Sequence, residues 1–587
     1  MIDFRKNIRE LISFLYNSDQ ANDLFNSLWG RIESFKRDHP KLQTGSSRYE
    51  GLGESEVILI TYGDQFREAH RPPLESLNTF LQSNLKDVIS GVHILPFYPY
   101  SSDDGFSVID YRQVAPELGS WQDIARLGGN FHLMFDLVAN HVSAESEWFK
   151  KFLAGKMPYS DYFPVIDPQI DLSQVVRPRA TPLLTPFETS DGLRHVWTTF
   201  STDQIDLDYR NPNVLLEMLD VLLFYVAQGA QIIRLDAIAY LWKIPETSCI
   251  HLPQTHAVVK LFRAVLDVVA PSVSLITETN VPHQENISYF GDYLPELGRS
   301  DEAQLVYQFP LAPLVLHTFL TGDSTSLTDW AEGLHQLPPG MTFFNFTASH
   351  DGIGVRPVEG ILETDEIQAL VQNTLAHGGQ VSYRANPDGS QSAYELNITW
   401  YDALNDPARQ EPELDIQRFL ASQAIMLSLA GVPGVYVHSL LGSHNCIDCL
   451  ARTGRARSIN REKFELEKLE RDLSDPQSLK SRVLAGYRYL LHNRKQQSAF
   501  HPAAKQHVLR LNSDVFAILR MAENDIGLLC VTNVTSKSLA LEVELSHFNL
   551  RGNTEWIDLF TGETFSPEDL LRIELVPYQS RWLKVQS

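Results

Sequence analysis

The chain has 587 residues and a formal charge of −24, from 73 Asp and Glu against 49 Lys and Arg, and is 43% hydrophobic. That acidic balance argues against a nucleic-acid partner, which needs a basic surface, and any anionic substrate would have to be met by arginines gathered locally. Four cysteines are too few for a disulfide scaffold. The opening M-I-D-F-R-K-N-I-R-E has no apolar signal core. The longest apolar run, Ala424 to Val437, is interrupted by Ser428, Gly431, Pro433 and Gly434 and is too short for a bilayer. A cytoplasmic protein with no membrane partner is expected.

Residues 1–50 read as an N-terminal helical extension, with Leu11, Ile12, Phe14 and Leu15, then Leu24, Leu28, Ile32 and Phe35, near helical spacing. From 51 to 500, short apolar runs alternate with helical stretches: Val57–Tyr62, Gly91–Pro96, Phe131–Val138, Ala230–Leu235, Val273–Thr277, Leu305–Phe309, Met341–Phe346 and Val435–His438. Eight strands separated by helices point to an α/β fold, a (β/α)8 TIM barrel. Two gaps after strands, about 140–212 and 352–406, are long enough to be inserted subdomains. Loops of that length in a compact domain are usually functional, and in a barrel they roof the face where active sites lie. Cys446 and Cys449 form one C-x-x-C after His444 and read as two ordinary thiols in a loop, with a local metal site as the alternative. Val483–Gln497 reads as a helix. The runs Val515–Leu519, Gly527–Val531 and Leu539–Leu545 read as strands of a C-terminal antiparallel β domain over 502–587.

The chemistry concentrates at strand ends. The fourth run, Q-I-I-R-L-D-A, buries Arg234 and Asp236 two residues apart and so on one face. They form either a structural ion pair or part of a polar cavity. The fifth run ends in Glu278 and Asn280, the seventh is followed by His350 and Asp351, and the third ends at Asp136, Asn140 and His141. Strand ends converge at a barrel mouth, which would bring Asp236, Glu278 and Asp351 together with two histidines and an arginine. Three carboxylates in one cavity repel, so one should keep its proton near neutrality. An ionised carboxylate beside a protonated one is what glycoside cleavage requires.

R-L-D-A at 234–237, the Glu of I-T-E-T, S-H-D-G at 349–352 and A-N-H at 139–141 resemble the four signature regions of the α-amylase family, glycoside hydrolase family 13. The resemblance implies Asp236 as nucleophile, Glu278 as general acid/base and Asp351 as transition-state stabiliser, with Arg234, His141 and His350 holding a glucosyl unit. L-P-F-Y-P-Y-S-S-D-D-G-F-S-V-I-D-Y (95–111), R-P-R (177–179), D-G-I-G-V (351–355), Y-E-L-N (394–397) and S-I-N-R (458–461) resemble its sucrose phosphorylase group. By that resemblance Asp103 and Arg461 clamp glucose hydroxyls, and Phe106, Phe200, Gln204 and Tyr240 line the sugar subsite. Arg179 and Tyr394 lie on mobile loops that exchange acceptor for phosphate, Arg179 meeting the phosphate. The sucrose-cleaving members carry Gln where this chain has Glu395 and His where it has Asn280, both on the acceptor side. The N-terminal extension and T-G-R-A-R-S-I-N-R (453–461) look more like the glucosylglycerate-cleaving members. The implied activity is a retaining phosphorolysis of a small-molecule α-glucoside with inorganic phosphate and no cofactor or metal. Sucrose, glucosylglycerol or sucrose 6-phosphate are alternative substrates. A hydrolase or transglucosidase on the same barrel and a non-catalytic binding protein are the further alternatives.

Overall fold

The computed structural model describes residues 3–44, 52–179, 181–386, 390–522, 527–544, 555–566 and 570–586. Eight parallel strands close into a barrel in simple sequential order. They are Ile58–Thr61, Gly91–Ile94, His132–Val138, Ala230–Asp236, Ser274–Thr277, Leu305–Tyr307, Thr342–Asn345 and Val432–Tyr436, the last pairing with the first. Their residues are almost all buried because helices cover the outside and side chains fill the inside. The expected (β/α)8 barrel is therefore the observed one.

The eighth strand differs in position. It begins at Val432, three residues before the expected run, and includes Pro433 and Gly434, while Val437–Leu440 is a helical turn. Pro and Gly are usually strand breakers, but here both have a reason. The seventh strand pairs with the eighth only at Phe344↔Val432 and Asn345↔Pro433, so little ladder is lost. A side chain at Gly434 would collide with the ring of Phe344.

The segment after the third strand carries the two-stranded ribbons Leu184–Thr189/Gly192–Trp197 and His141–Ser143/Gln204–Asp206. The segment after the seventh carries the three-stranded sheet of Ile353–Gly354, Gln391–Asn397 and Gln380–Ala385. At the other end of the chain, helices Phe4–Leu15 and Ser18–Asp38 are capped by Asp3 and Asn17. They pack on barrel helices Pro253–Val269 and Pro212–Ala227, where Tyr16 donates to the Tyr209 carbonyl at 2.8 Å and Arg31 pairs with Asp220 at 2.9 Å. Nothing in these helices reaches the barrel mouth.

The C-terminal strands form a six-stranded antiparallel sheet and a separate two-stranded pair, with their own apolar core around Trp556. The expected helix is Leu479–Lys495 and the three expected strands are Val515–Met521, Gly527–Asn533 and Leu539–Glu544; Leu545 lies outside the described residues. Buried Arg520 ties this sheet to the barrel by donating to the Ser428 and His501 carbonyls at 2.9 Å. Among the described residues no helix is long and apolar enough to cross a membrane.

Cys446 and Cys449 are bonded to each other, which corrects the reading as free thiols and removes the local metal site. The physical reason is the turn into the helix Ile447–Thr453, which folds position 446 back over position 449, with the Cys446 sulfur accepting the Cys449 amide at 3.2 Å.

Gly434→Ala should cost about 1–3 kcal/mol through overpacking against Phe344, read as a lower urea midpoint by circular dichroism. An unchanged midpoint would show that the seventh and eighth strands can part without loss.

Candidate active site

At the end of the fourth strand the guanidinium of Arg234, 1% exposed, lies among three carboxylates. Its NH1 contacts Asp136 at 2.5 Å and Asp236 at 2.7 Å, and its NH2 stands 3.8 Å from Glu278. The other oxygen of Asp136 meets His93 Nε2 at 2.6 Å. Each contact comes from a different strand: His93 from the second, Asp136 from the third, Arg234 and Asp236 from the fourth, and Glu278 from just beyond the fifth. Parallel registry sets Asp136 beside Arg234 and Val138 beside Asp236. Ala237 then takes a left-handed turn, φ 48°, which aims its N–H at Glu278 Oε2, 3.1 Å away. A non-glycine residue held there is strained.

Burial raises the carboxyls of both Asp236 and Glu278, with Glu278 further opposing the ionisation of Asp236 and Asp351 that of Glu278. The pair therefore retains a proton near neutrality. Arg234 favours the charge of both, through a hydrogen bond to Asp236 at 2.7 Å and from 3.8 Å at Glu278. Asp351 is different. Burial alone would raise it, but Arg457, with Arg461 and Arg234 farther off, holds it far below the usual carboxylate range. His350 is kept neutral by burial and stacks flat on Phe106, centroids 4.9 Å apart. His141 is likewise pushed down by burial, and its Nε2 lies 3.0 Å from the Phe106 carbonyl and 3.1 Å from the Gln204 amide.

These groups line a cavity open at the barrel mouth. Asp236, Glu278, Asp351, Asp103, Phe106, His141, Arg234 and His350 are on its wall, as are Phe200, Gln204, Asn280, Tyr394, Glu395 and Arg179. Two expected residues are not. Tyr240 stands behind the wall, edge-on to Phe200 at 5.5 Å. Asp103 and Arg461, both expected on the glucose hydroxyls, face different cavities: Asp103 lines this one, whereas Arg461 lines its neighbour, with NH1 on Asp104 at 2.5 Å. The cause is local. Asp103 and Asp104 are both left-handed, φ 52° and 49°, and send their carboxylates to opposite sides, Asp103 toward Gln204 at 3.4 Å. Asp203 fixes this loop by accepting from Ser101 at 2.6 Å and Ser107 at 2.8 Å.

On the outer side, Asn280 (φ 49°) donates to the Tyr394 hydroxyl at 3.1 Å. Gly354 leaves the room its amide needs, since a Cβ there would meet Asn280 Oδ1 at 2.5 Å. Arg179 lies 5.6 Å over the Tyr394 ring and 3.9 Å from Glu395. Glu395 does not present free oxygens to the cavity. Both are taken by Arg457, at 3.1 Å from Nε and 2.5 Å from NH2. Arg457 and His93 are contributors that sequence reasoning missed. Asp136 is visible in the sequence as an acid in a buried strand, but without the link to Arg234 and His93 that the structure gives it.

The family model for the alpha amylase catalytic domain matches residues 85–352, and that for the maltogenic amylase C-terminal domain matches residues 506–582. The chain is 48% identical to a glucosylglycerate phosphorylase of Spirochaeta thermophila, covering 98% of each chain. It is 43% identical to one of Escherichia coli, covering 99% of this chain and 100% of that one. Among solved structures it is similar to sucrose 6F-phosphate phosphorylase from Thermoanaerobacter thermosaccharolyticum, with a TM-score of 0.70 and 25% identity over 91% of this chain and 99% of the other.

Asp136→Ala should destabilise the fold by about 3–5 kcal/mol, because Arg234 and His93 would lose their shared partner in a dry interior. Chemical denaturation measures it, and wild-type stability would mean that Asp236 and Glu278 alone satisfy Arg234.

Proposed function

The chain belongs to the α-amylase family, in the branch of the glucosylglycerate phosphorylases, and we propose from that premise how its own residues cleave an α-glucoside with inorganic phosphate. The enzyme is a retaining α-glucoside phosphorylase, and glucosylglycerate is its substrate. The observation that carries the reading is the convergence of Asp236, Glu278 and Asp351 at one mouth with Arg234 among them, in a chain so similar over its whole length to those relatives.

Asp236, kept ionised by Arg234, attacks the anomeric carbon while Glu278 gives its proton to the departing glycerate oxygen. Asp351 stabilises the positive charge that develops on the sugar, in a site where water screens little. His141, His350, Asp103 and Gln204 hold the glucose hydroxyls, and Phe106 and Phe200 supply its apolar wall. The glucosyl–Asp236 ester is then opened by phosphate in place of water, with Glu278 accepting the proton. The products are α-glucose 1-phosphate and glycerate.

An anion approaching this acidic cleft needs a cation. Arg179 suits the role because its side chain is 25% exposed and its nearest acid is 3.9 Å away, and a guanidinium grips phosphate bidentately. Asn280 and Tyr394 border the acceptor space. The activity belongs in the cytoplasm, where a sugar phosphate is retained; recovery of the protein with a periplasmic marker on fractionation would refute that location.

With α-glucose 1-phosphate as donor, phosphate release should be strong with glycerate and weak with fructose, glycerol or fructose 6-phosphate. Release with fructose would make sucrose the substrate, and release that needs no acceptor would favour a hydrolase. Asp236→Asn should lower turnover by at least about 10⁴-fold, and near-normal activity would remove Asp236 from the chemistry. Arg179→Ala should raise KM for phosphate about tenfold or more while leaving glucosyl transfer to water within a few-fold. An unchanged KM would remove Arg179 from the phosphate site.

A further inference from the structure

Arg457 occupies the point where the acceptor side of the cavity meets the sugar side. It lies on the turn Ala456–Asn460, which is fixed from three directions. The Cys446 amide donates to the Ile459 carbonyl at 2.8 Å, Asn460 Nδ2 donates to the Ser349 carbonyl at 2.9 Å, and Arg461 Nε donates to the His350 carbonyl at 2.8 Å. The turn is thus joined to the loop that carries Asp351. From it the guanidinium of Arg457 uses all of its edges. Nε and NH2 fork onto both oxygens of Glu395, and NH1 reaches Asp351 Oδ1 at 2.5 Å.

Glu395 is 1% exposed, so an acceptor could reach its oxygens only by displacing Arg457. Such a displacement would break a bidentate, charge-assisted pair in a dry setting. Asp351, for its part, has no equal alternative among its cationic neighbours. His350 stands 3.5 Å away and is neutral, and Arg461 stands 3.7 Å away with NH1 committed to Asp104.

We propose that Arg457 is a positioning residue which, gripped by Glu395, holds Asp351 ionised and aimed at the reacting sugar, and that Glu395 acts through Arg457 rather than by touching the acceptor. The proposal rests on the role given above to Asp351. It assigns Glu395 a new task. A glutamine there would offer Arg457 one neutral acceptor in place of two charged ones, and the fork would loosen. It also means that a residue on the acceptor side controls the glucosyl-forming half of the reaction, before any acceptor has bound.

The test is a double-mutant cycle on Arg457→Gln, Glu395→Gln and the double variant, with α-glucosyl fluoride as activated donor and no acceptor present. Fluoride release reads glucosyl formation and its hydrolysis. We expect kcat to fall about 10²-fold for Arg457→Gln and about tenfold for Glu395→Gln. The double variant should lie within about twofold of Arg457→Gln, and KM for the fluoride should stay within a few-fold throughout. Arg457→Lys should recover part of the loss, since one ammonium can serve Asp351 but not both acids. Multiplying effects in the double variant would overturn the proposal. So would wild-type kcat for Glu395→Gln without acceptor together with a raised KM for glycerate, because Glu395 would then touch the acceptor. If Arg457→Gln fails to fold with Glu395 left buried and unpaired, the double variant, which removes both charges, and Arg457→Lys still decide the matter. A wild-type chain that releases fluoride but shows no glycerate-dependent phosphate release would refute the acceptor assignment and leave the cycle readable. One that releases no fluoride would refute both.

Discussion

A single guanidinium buried under the barrel mouth sets the terms for everything above it. Arg234 cannot be solvated where it lies, and an unpaired cation there would be prohibitive, so the surrounding strands must supply acids. Asp136 supplies one from below, with His93 behind it, and Asp236 supplies one from the same strand. The cation in turn decides how the acids above it ionise. It favours the charge of both, through a hydrogen bond to Asp236 and from 3.8 Å at Glu278. By the proposed mechanism that difference in distance separates the two carboxyls in role. The eight-stranded frame makes this possible because parallel registry sets side chains of neighbouring strands level with one another, as Asp136 is with Arg234.

How much of this the sequence discloses depends on whether a signal is local. Short apolar runs with helices between them are local, and all eight barrel strands are visible in them. The eighth is displaced by three residues because Pro433 and Gly434 look like breakers until the partner strand is known. Acids at the ends of buried strands are also local, and the cavity wall contains almost every residue expected there. The exceptions share one cause. Whether Arg461 faces Asp103 or Asp104 is decided by two successive left-handed residues that no composition rule reveals. Arg457 reads as one arginine among three in T-G-R-A-R-S-I-N-R until the turn that carries it is pinned to the Asp351 loop. The Cys446–Cys449 bond likewise belongs to the turn and not to the spacing.

The inner and outer halves of the cavity follow different electrostatic logic. Inside, buried charges are matched one against another: Arg234 with Asp136 and Asp236, Arg457 with Asp351 and Glu395. Such pairs are poor sources of net stability, but they hold geometry, and a site that stabilises a developing charge must have its dipoles in place beforehand. Outside, Arg179 keeps its partner at 3.9 Å and a quarter of its side chain in solvent, which leaves it available to a ligand.

That division answers the problem posed by the composition. A chain of charge −24 that admits phosphate, and by the proposed activity releases a carboxylate, cannot rely on its overall field. Nor could it rely on Arg457, because drawing it toward a ligand would strand the buried Glu395. The sequence Arg179, Glu395, Arg457, Asp351 alternates cation and anion from the mouth inward, and only its outermost member is free to change partners. Phosphate and glycerate are both anions, and both must be accommodated at the same face of the glucosyl ester in opposite directions of the reaction. By the proposed mechanism, Arg179 at the rim, backed by the Arg457–Glu395 pair, would let the two exchange while the charges around the sugar stay where they are.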